Sequence, residues 1–210
     1  MEVKQKEKEM SSYREQLEDY LKTLNIKADK VLDLGGAANP VLKRLGSIEN
    51  QEYICFDLGV EEPKTEYIKF DINLPLKQLK GYPEKSFNFD CLFCLEVFEY
   101  VWNPVQAMKN IYQLLCSDGI AYISWPSIYP VHNPVEIDYL RFTRTAIEKY
   151  VDHCGFKLLS IVPRVAKNGV MSLSKFYYEE GMHPVKDSVL PYDIGYMTKI
   201  TKSKGIDIKK

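Results

Sequence analysis

The chain has 210 residues, of which 45% are hydrophobic, and its formal net charge at pH 7 is −1. This length and apolar fraction predict one globular domain with a sizeable core and small additions. The near-neutral charge gives no electrostatic footprint for nucleic acid or acidic lipid, and no apolar run reaches the length of a membrane span. The N-terminus is charged, unlike a signal sequence, so we expect a cytoplasmic protein without nucleic-acid or membrane partners.

The cysteines are odd in number, five in all, and most lie in or beside apolar segments. We therefore expect free thiols in a reducing compartment. Cys91 and Cys94 form a C-x-x-C pair inside an apolar run, but no second pair completes a metal site. Strand packing is favoured over redox or zinc chemistry, and we expect no bound metal.

Residues 2–24 are charged, with apolar side chains at helical spacing, and predict an amphipathic helix ahead of the main domain. We therefore divide the chain into a helical cover, 1–28, and a main domain, 29–210. Two roles stay open for the helix. It covers one face of a sheet, or it places Tyr13 or Tyr20 over a bound ligand as a lid, where Tyr13 would contact substrate.

A glycine corner follows. Residues 31–34 are apolar apart from one aspartate and predict a buried parallel strand. Gly35 and Gly36 supply a turn without side chains, where backbone approaches a ligand closely. Asn39 is a good N-cap and Pro40 a good first helical residue, so we predict a helix there. Together these features predict the ligand-binding corner of a doubly wound α/β sheet.

The ligand of this corner is indicated by its departure from the dinucleotide pattern G-x-G-x-x-G. Ala37 takes the place of the second glycine, and no further glycine follows until Gly46. Asp33 would repel a phosphate but pair with an ammonium. The corner therefore resembles motif I of the class I S-adenosylmethionine-dependent methyltransferases, whose acidic residue and glycine turn face the methionine half of the cofactor. The resemblance implies that S-adenosylmethionine is bound by Asp33, Gly35, Gly36, Ala37 and Asn39. An ordinary strand–turn–helix connection without a ligand is the alternative.

The second predicted strand, 52–57, ends in a carboxylate. Asp57 lies 22 residues beyond Gly35, close to the spacing at which a carboxylate meets ribose hydroxyls in nucleotide-binding α/β folds. A carboxylate suits this task because it accepts hydrogen bonds from two neighbouring hydroxyls. We therefore place Asp57 and Leu58 at the ribose. The alternative is an aspartate that only forms the turn at the strand end.

The third predicted strand, 66–70, is followed by Asp71 and Ile72. In the methyltransferase family an aspartate at this point accepts a hydrogen bond from the adenine amino group, and its apolar neighbour packs on the ring. Asp71 and Ile72 match those positions, so the resemblance implies that they bind adenine. An Asx-turn that caps the strand is the alternative.

Residues 91–95 form another apolar run, which predicts a buried strand, and a helix-opening Asn-Pro pair follows after a short turn. This order resembles the family's fourth motif, a strand with a Leu-Glu-x-x-Glu-His-like turn. The chain departs from it at Tyr100, where many relatives carry histidine, so the resemblance supplies no base there. It implies that Leu95 and Glu96 lie beside the cofactor and that Glu99 and Tyr100 face the substrate.

A long loop with three prolines, 126–143, comes after a further strand. Long loops at strand ends usually carry function. The pattern His-x-x-Pro…Asp-Tyr-x-Arg-Phe-Thr in this loop resembles a methyltransferase branch associated with surface glycan biosynthesis. His132 is the best candidate for a general base because histidine titrates near neutrality, and a loop anchor is the alternative. Asp138 and Arg141 are expected to orient substrate or hold the loop, and Arg141 suits a planar anion.

The resemblance covers residues 30–163 in the correct order. The remaining predicted helices and strands are 104–116, 120–125, 144–153, 157–163 and 195–200. They complete a Rossmann-like, doubly wound α/β fold with a mostly parallel seven-stranded sheet, an N-terminal helix and an antiparallel last strand.

This fold and its motifs imply a methyltransferase, and we expect it to methylate an oxygen atom. The expected acceptor is a small molecule, namely a sugar, nucleotide-linked or phosphoryl-type precursor of a surface polysaccharide. A catalytically silent cofactor-binding partner or regulatory subunit is the alternative. The sequence is also compatible with a homodimer. A nucleotide-dependent dehydrogenase is opposed by the missing glycines.

Overall fold

The protein is described here by a computed structural model, which covers residues 12–59, 66–79, 87–128, 131, 134–166 and 192–203. The described residues form three α-helices and nine β-strands. The helices are α1 (Ser12–Lys22), α2 (Pro104–Leu114) and α3 (Arg144–His153). The strands are β1 (Asn25–Lys27), β2 (Lys30–Leu34), β3 (Ser47–Glu49), β4 (Glu52–Asp57), β5 (Tyr67–Lys69), β6 (Phe89–Cys94), β7 (Leu115–Pro126), β8 (Phe156–Ala166) and β9 (Tyr192–Lys202). Within the described ranges no helix combines the length and apolar character that a membrane span requires.

Seven of the strands form one sheet, in the order β5-β4-β2-β6-β7-β9-β8. The five adjacent strands β5, β4, β2, β6 and β7 run parallel to one another, whereas β9 runs antiparallel to both β7 and β8. This arrangement confirms the predicted mostly parallel sheet with an antiparallel last strand. Because parallel strands share one direction, the carboxyl ends of β2, β4, β5 and β6 meet at one edge of the sheet.

The central strands are buried on both faces. Along β6, Cys91 and Phe93 pack into the core that α1 covers, whereas Leu92 and Cys94 pack into the core under α2 and α3. The C-x-x-C pair is thus divided between two cores, and the described cysteines are free thiols. Burial raises the pKa of the Cys91 thiol to about 12, which keeps it protonated and unreactive. The predicted role of this pair in strand packing is confirmed.

The predicted helix at Asn39 and Pro40 is wrong. Pro40 precedes a single 3-10 turn, Val41–Lys43, and the chain then enters β3, which pairs with β1 in a separate parallel sheet of two strands. The reason is tertiary, since α1 already covers this face of the sheet. The Gly46 N–H donates to the Leu21 carbonyl of α1 at 3.2 Å, and a Cβ on Gly46 would lie 2.1 Å from the Lys22 carbonyl oxygen.

Helix α2 fixes the loop that follows β5. Asn110 on this helix is fully buried, and its amide nitrogen donates to the carbonyls of Ile72 and Leu74, both at 2.8 Å. The Asn110 carbonyl oxygen accepts a hydrogen bond from the Gln106 side chain at 2.8 Å. Asn110 was not among the residues selected from the sequence, because a single polar residue inside an amphipathic helix gives no signal of its partner.

We expect Asn110→Asp to lower the free energy of unfolding by about 2–4 kcal/mol, because the new carboxyl group cannot supply both buried carbonyls with donors. The matched control is Gln113→Glu, the same kind of change on the exposed side of α2. Urea denaturation of both variants measures the effect. Equal stability of the two variants would contradict the role given to Asn110.

Candidate functional site

A cavity of about 380 Å³ lies at the carboxyl ends of β2, β4, β5 and β6. This volume is in the usual range for small-molecule sites. Its walls combine apolar side chains with a few polar groups: Leu34, Gly35, Phe56, Asp57, Leu58, Gly59, Phe70, Asp71, Ile72, Asn73, Glu96, Val97, Tyr100, Val101 and Ile137. The sheet edge that the sequence predicted as a ligand site therefore contains a pocket of suitable size.

The two glycines of the corner are required for different reasons. Gly35 has φ = 79°, and a Cβ there would lie 2.3 Å from Cγ2 of Val97. Its N–H donates to the Phe56 carbonyl at 2.8 Å, which joins the turn to β4. A Cβ on Gly36 would lie 2.1 Å from Oδ2 of Asp33. Gly35 thus lets the turn approach the segment after β6, and Gly36 makes room for a buried carboxylate.

Asp33 is only 2% exposed and holds the chain after the turn. Its Oδ2 accepts hydrogen bonds from the Val41 N–H and the Tyr53 hydroxyl, each at 2.8 Å. Burial raises the pKa of the Asp33 carboxyl, and these two hydrogen bonds oppose that shift. Asp33 is not part of the cavity lining, so its predicted pairing with an ammonium group stays a prediction. Tyr53 was not selected from the sequence.

Asp57 lies at the end of β4 and lines the cavity together with Leu58. Its Oδ2 accepts from the Ala37 N–H at 3.0 Å, and its Oδ1 accepts from the Gly59 N–H at 2.7 Å. The carboxylate therefore joins the glycine corner to its own turn. Each oxygen keeps a second lone pair for a ligand hydroxyl, so the ribose and turn roles are compatible. Asn39 is exposed, and neither it nor Ala37 belongs to the cavity lining.

Asp71 and Ile72 line the cavity beside Asp57. Oδ1 of Asp71 accepts from both the backbone and the side-chain nitrogen of Asn73, at 2.9 Å each, so the Asx-turn is present. Oδ1 of Asn73 accepts from the Asn103 N–H at 3.1 Å, which ties this turn to the start of α2. The contact with adenine stays a prediction.

Glu96, directly after Leu95, has a left-handed backbone, with φ = 56°. Its N–H donates to Oγ of Ser124 at 2.6 Å, and that hydroxyl donates back to Oε1 of Glu96 at 2.8 Å. Nη2 of Arg164 donates to the same Oε1 at 3.0 Å. Non-glycine residues with such backbones cluster at functional sites. Glu96 lines the cavity, whereas Leu95 packs into the core under α1.

Glu96 belongs to a group of charged and phenolic side chains that we call the polar cluster: Tyr13, Glu96, Glu99, Asp138, Arg141 and Arg164. The Arg164 guanidinium lies 3.5 Å from the centroid of the Tyr13 ring and donates to the Tyr13 hydroxyl. Arg141 binds both oxygens of Asp138, at 2.5 and 2.7 Å. The Tyr139 N–H donates to the Glu99 carbonyl at 2.7 Å and holds the loop of Asp138 and Arg141 against the turn of Glu99.

The structure therefore brings together four side chains predicted to face substrate, Tyr13, Glu99, Asp138 and Arg141, whereas Tyr100 lines the cavity. Ser124 and Arg164 were not selected from the sequence. His132, the predicted base, lies outside the described residues.

Glu99 is 4% exposed. Burial, and then the carboxylate of Glu96, raise the pKa of Glu99 to about 7, while Arg164 and Arg141 act in the opposite direction. Burial and the Glu99 charge raise the pKa of Tyr100 to about 12, so the Tyr100 hydroxyl stays protonated near neutral pH. Of these two neighbours, Glu99 is the one that exchanges a proton near neutrality.

We expect Gly35→Ala to destabilise the fold by about 2 kcal/mol or more, because it adds left-handed strain to a clash with Val97. Gly59→Ala is the matched control in the same cavity wall, where the nearest atom to a new Cβ is Oδ1 of Asp57 at 3.3 Å. Urea denaturation compares the variants. The double variant Gly35→Ala/Val97→Ala should recover part of the loss, since it removes the clash but not the strain. No recovery would show that the contact with Val97 is unimportant.

Glu99→Gln should stabilise the protein increasingly as pH rises. The folded-state pKa of Glu99 lies above the usual value of 4.5, so wild-type stability is lost as pH rises from about 4.5 to about 7. The glutamine variant lacks this loss and should gain about 2–3 kcal/mol at pH 8 relative to its difference from wild type at pH 4. Glu136→Gln, which removes an exposed carboxylate, is the control. A pH-independent difference for Glu99→Gln would contradict the assigned environment.

Comparisons with known proteins place the fold and the family. A family profile described as a methyltransferase domain matches residues 4–161. A putative methyltransferase from Bacillus halodurans C-125 has a similar structure, with a TM-score of 0.56, 15% identity, and coverage of 90% of this chain and 98% of that chain. A comparison with curated proteins finds no match.

Two further solved structures show how widely this fold is used. The 1,6-didemethyltoxoflavin-N1-methyltransferase of Burkholderia thailandensis, with bound 1,6-didemethyltoxoflavin and S-adenosylhomocysteine, aligns with a TM-score of 0.57 and 16% identity over 92% of this chain and 79% of that chain. The [4+2]-cyclase SpnF aligns with a TM-score of 0.54 and 14% identity over 90% and 80%. These likenesses show the fold, and the profile extends over most of the chain. The protein therefore belongs to the methyltransferase domain family.

Proposed function

We propose that the protein transfers the methyl group of S-adenosylmethionine to an oxygen atom of a small-molecule acceptor. The observation that carries this proposal is the cavity at the carboxyl edge of the sheet, with a carboxylate at the end of β4, another after β5, and the polar cluster on its other side. The cofactor, when bound, supplies an electrophilic methyl group on a sulfonium. The residues of this chain bind it, orient the acceptor and exclude water.

The lining residues fit the adenosine half of such a cofactor. Asp57 and Asp71 present carboxylate oxygens that are already held by backbone N–H groups, so a ligand meets acceptors in fixed positions. Ile72 and Phe70 supply apolar surface for a ring. Gly35 has no side chain, so the turn can lie close to Val97 at the floor of the cavity. The methionine half then extends along the glycine corner toward Glu96.

The polar cluster supports a polar acceptor. Beside the cavity, Glu96 pairs with the guanidinium of Arg164, and Asp138 pairs with the guanidinium of Arg141. Such a surface suits hydroxyl-rich or anionic molecules, and a sugar, nucleotide-linked or phosphoryl-type precursor of a surface polysaccharide is the acceptor we propose.

Transfer to a neutral hydroxyl needs a proton acceptor. His132 stays the prediction from the sequence. Among the described residues of the cluster, Glu99 has a suitable protonation equilibrium, since its pKa is raised to about 7. An acceptor whose oxygen is already anionic would need no base, and both side chains would then only position it.

Calorimetry with S-adenosylhomocysteine tests the cofactor site. We expect wild-type protein to bind it more tightly than NAD, and Asp57→Ala to weaken binding by about 2–4 kcal/mol through the loss of charge-assisted hydrogen bonds. Asp90→Ala is the matched control, because Asp90 also accepts a backbone N–H, from Lys30 at 2.9 Å, but at the start of β6. Equal affinities of the two folded variants would remove Asp57 from the site.

Methyl-labelled S-adenosylmethionine tests the transfer itself. Incubation of the protein with the low-molecular-weight fraction of its host cells should give a labelled product, and Asp57→Ala should give less of it. Binding of S-adenosylhomocysteine without any labelled product in that fraction would favour the silent partner or regulatory subunit.

A further inference from the structure

Arg164 is an unusual residue within the polar cluster. It lies on β8, is 1% exposed, and uses Nη2 for both of the side-chain hydrogen bonds that it makes to described residues, namely to the Tyr13 hydroxyl and to Oε1 of Glu96. Among the described residues, Nε and Nη1 are buried without a hydrogen-bond partner, and no other buried side-chain nitrogen or oxygen is left in this state. A buried donor without a partner has lost its hydrogen bond to water with nothing in exchange, and the loss is larger when the donor belongs to a charged group. Stability alone therefore does not account for this arginine.

The surroundings of Arg164 hold it in place. On one side Gln16 of α1 exchanges two hydrogen bonds with the backbone of Val165, at 2.7 and 2.9 Å, and this fixes α1 on β8. On β9 the partner of Arg164 is Gly195, where a Cβ would lie 3.0 Å from the Tyr13 ring. A glycine at that position makes room for the ring that covers the guanidinium. The cluster is thus built around the arginine and Tyr13 together.

The sheet order gives the location of Arg164 relative to the proposed cofactor. Strands β4 and β5, which carry the adenosine-side carboxylates, lie on one side of β6, and β8 lies on the other. Glu96 follows β6 and contacts both the cavity and Arg164. A molecule that meets the cofactor methyl group from the far side of Glu96 therefore comes next to this guanidinium.

We propose that Arg164 binds an anionic oxygen group of the methyl acceptor, a carboxylate or a phosphate, through Nε and Nη1. This inference rests on the proposed function and narrows its acceptor to an anionic molecule. Glu96 already balances one charge and fixes the guanidinium through Nη2, while the other two nitrogens retain three N–H donors.

Tyr13 controls access to this site. Its ring lies over the guanidinium, so the anionic group reaches Nε and Nη1 after the side chain has turned aside. Tyr13 lies in the first turn of α1, and Gln16 holds the helix on β8 one turn later. The side chain can therefore move while the helix keeps its position. Tyr13 would therefore act as the predicted lid on the acceptor side of the site.

The experiment titrates wild-type protein with inorganic phosphate and, separately, with acetate at constant ionic strength, with and without S-adenosylhomocysteine. Saturable binding is followed by calorimetry or by the shift in melting temperature. We expect binding of at least one anion, and the preferred one identifies the class of acceptor group. Arg164→Met should weaken that binding about tenfold or more. Arg144→Met, which removes an exposed arginine on α3, is the matched control and should bind as wild type does.

Tyr13→Phe keeps the test decisive if Arg164→Met does not fold. This variant keeps the ring but frees Nη2 from the hydroxyl, so anion binding should be unchanged or tighter. Weaker binding in Tyr13→Phe, unchanged binding in folded Arg164→Met, or no saturable binding of either anion would overturn the proposal. Failure of S-adenosylhomocysteine to bind, with anion binding intact, would instead overturn the proposed function and leave the anion site standing.

Discussion

The hydrogen bonds of the buried Asp33 carboxylate are the interactions on which the cavity at the carboxyl edge of the sheet depends. In a doubly wound fold a helix normally follows the glycine turn, and its N-terminal N–H groups face the ligand. Here only one 3-10 turn follows, and Asp33 holds this segment by accepting the Val41 N–H and the Tyr53 hydroxyl. Gly36 is small because this carboxylate lies against it. The turn then reaches β4 through Gly35 and the segment after β6 through Val97, and these two contacts shape the floor of the cavity.

Helix α1 has replaced the missing helix as the cover of that face. Its residues Leu17 and Leu21 are fully buried beneath the sheet face of β2 and β6. The ion pair between Glu18 and Arg44 holds the segment after the 3-10 turn against α1, with two contacts at 2.9 and 3.1 Å. The same helix carries Tyr13 over Arg164 at its other end. The N-terminal segment therefore contributes both to the core and to the polar cluster.

The sequence predicted those features that local patterns encode. Residues 31–34, 52–57 and 89–94 are apolar enough to identify central parallel strands, and strand direction brings the acids Asp57 and Glu96 to the same edge of the sheet. The missing helix was not predictable in this way, since Asn39 and Pro40 are good start signals and only the position of α1 overrides them. Arg164 was missed because its partner Glu96 is 68 residues away, and an arginine in a strand gives no local sign that it is buried.

Three features near Glu96 each work against stability, and they occur together. Glu96 itself has a left-handed backbone, Glu99 is a buried carboxyl whose pKa is raised to about 7, and Arg164 keeps two buried nitrogens without hydrogen-bond partners among the described residues. Elsewhere in the described chain, buried polar side chains such as Asn110 and Asp33 have their hydrogen bonds satisfied. A fold that satisfies its polar groups at the cofactor edge but leaves donors unpaired beside Glu96 is arranged for a ligand there. The unpaired donors are cationic, so the group that completes them carries negative charge.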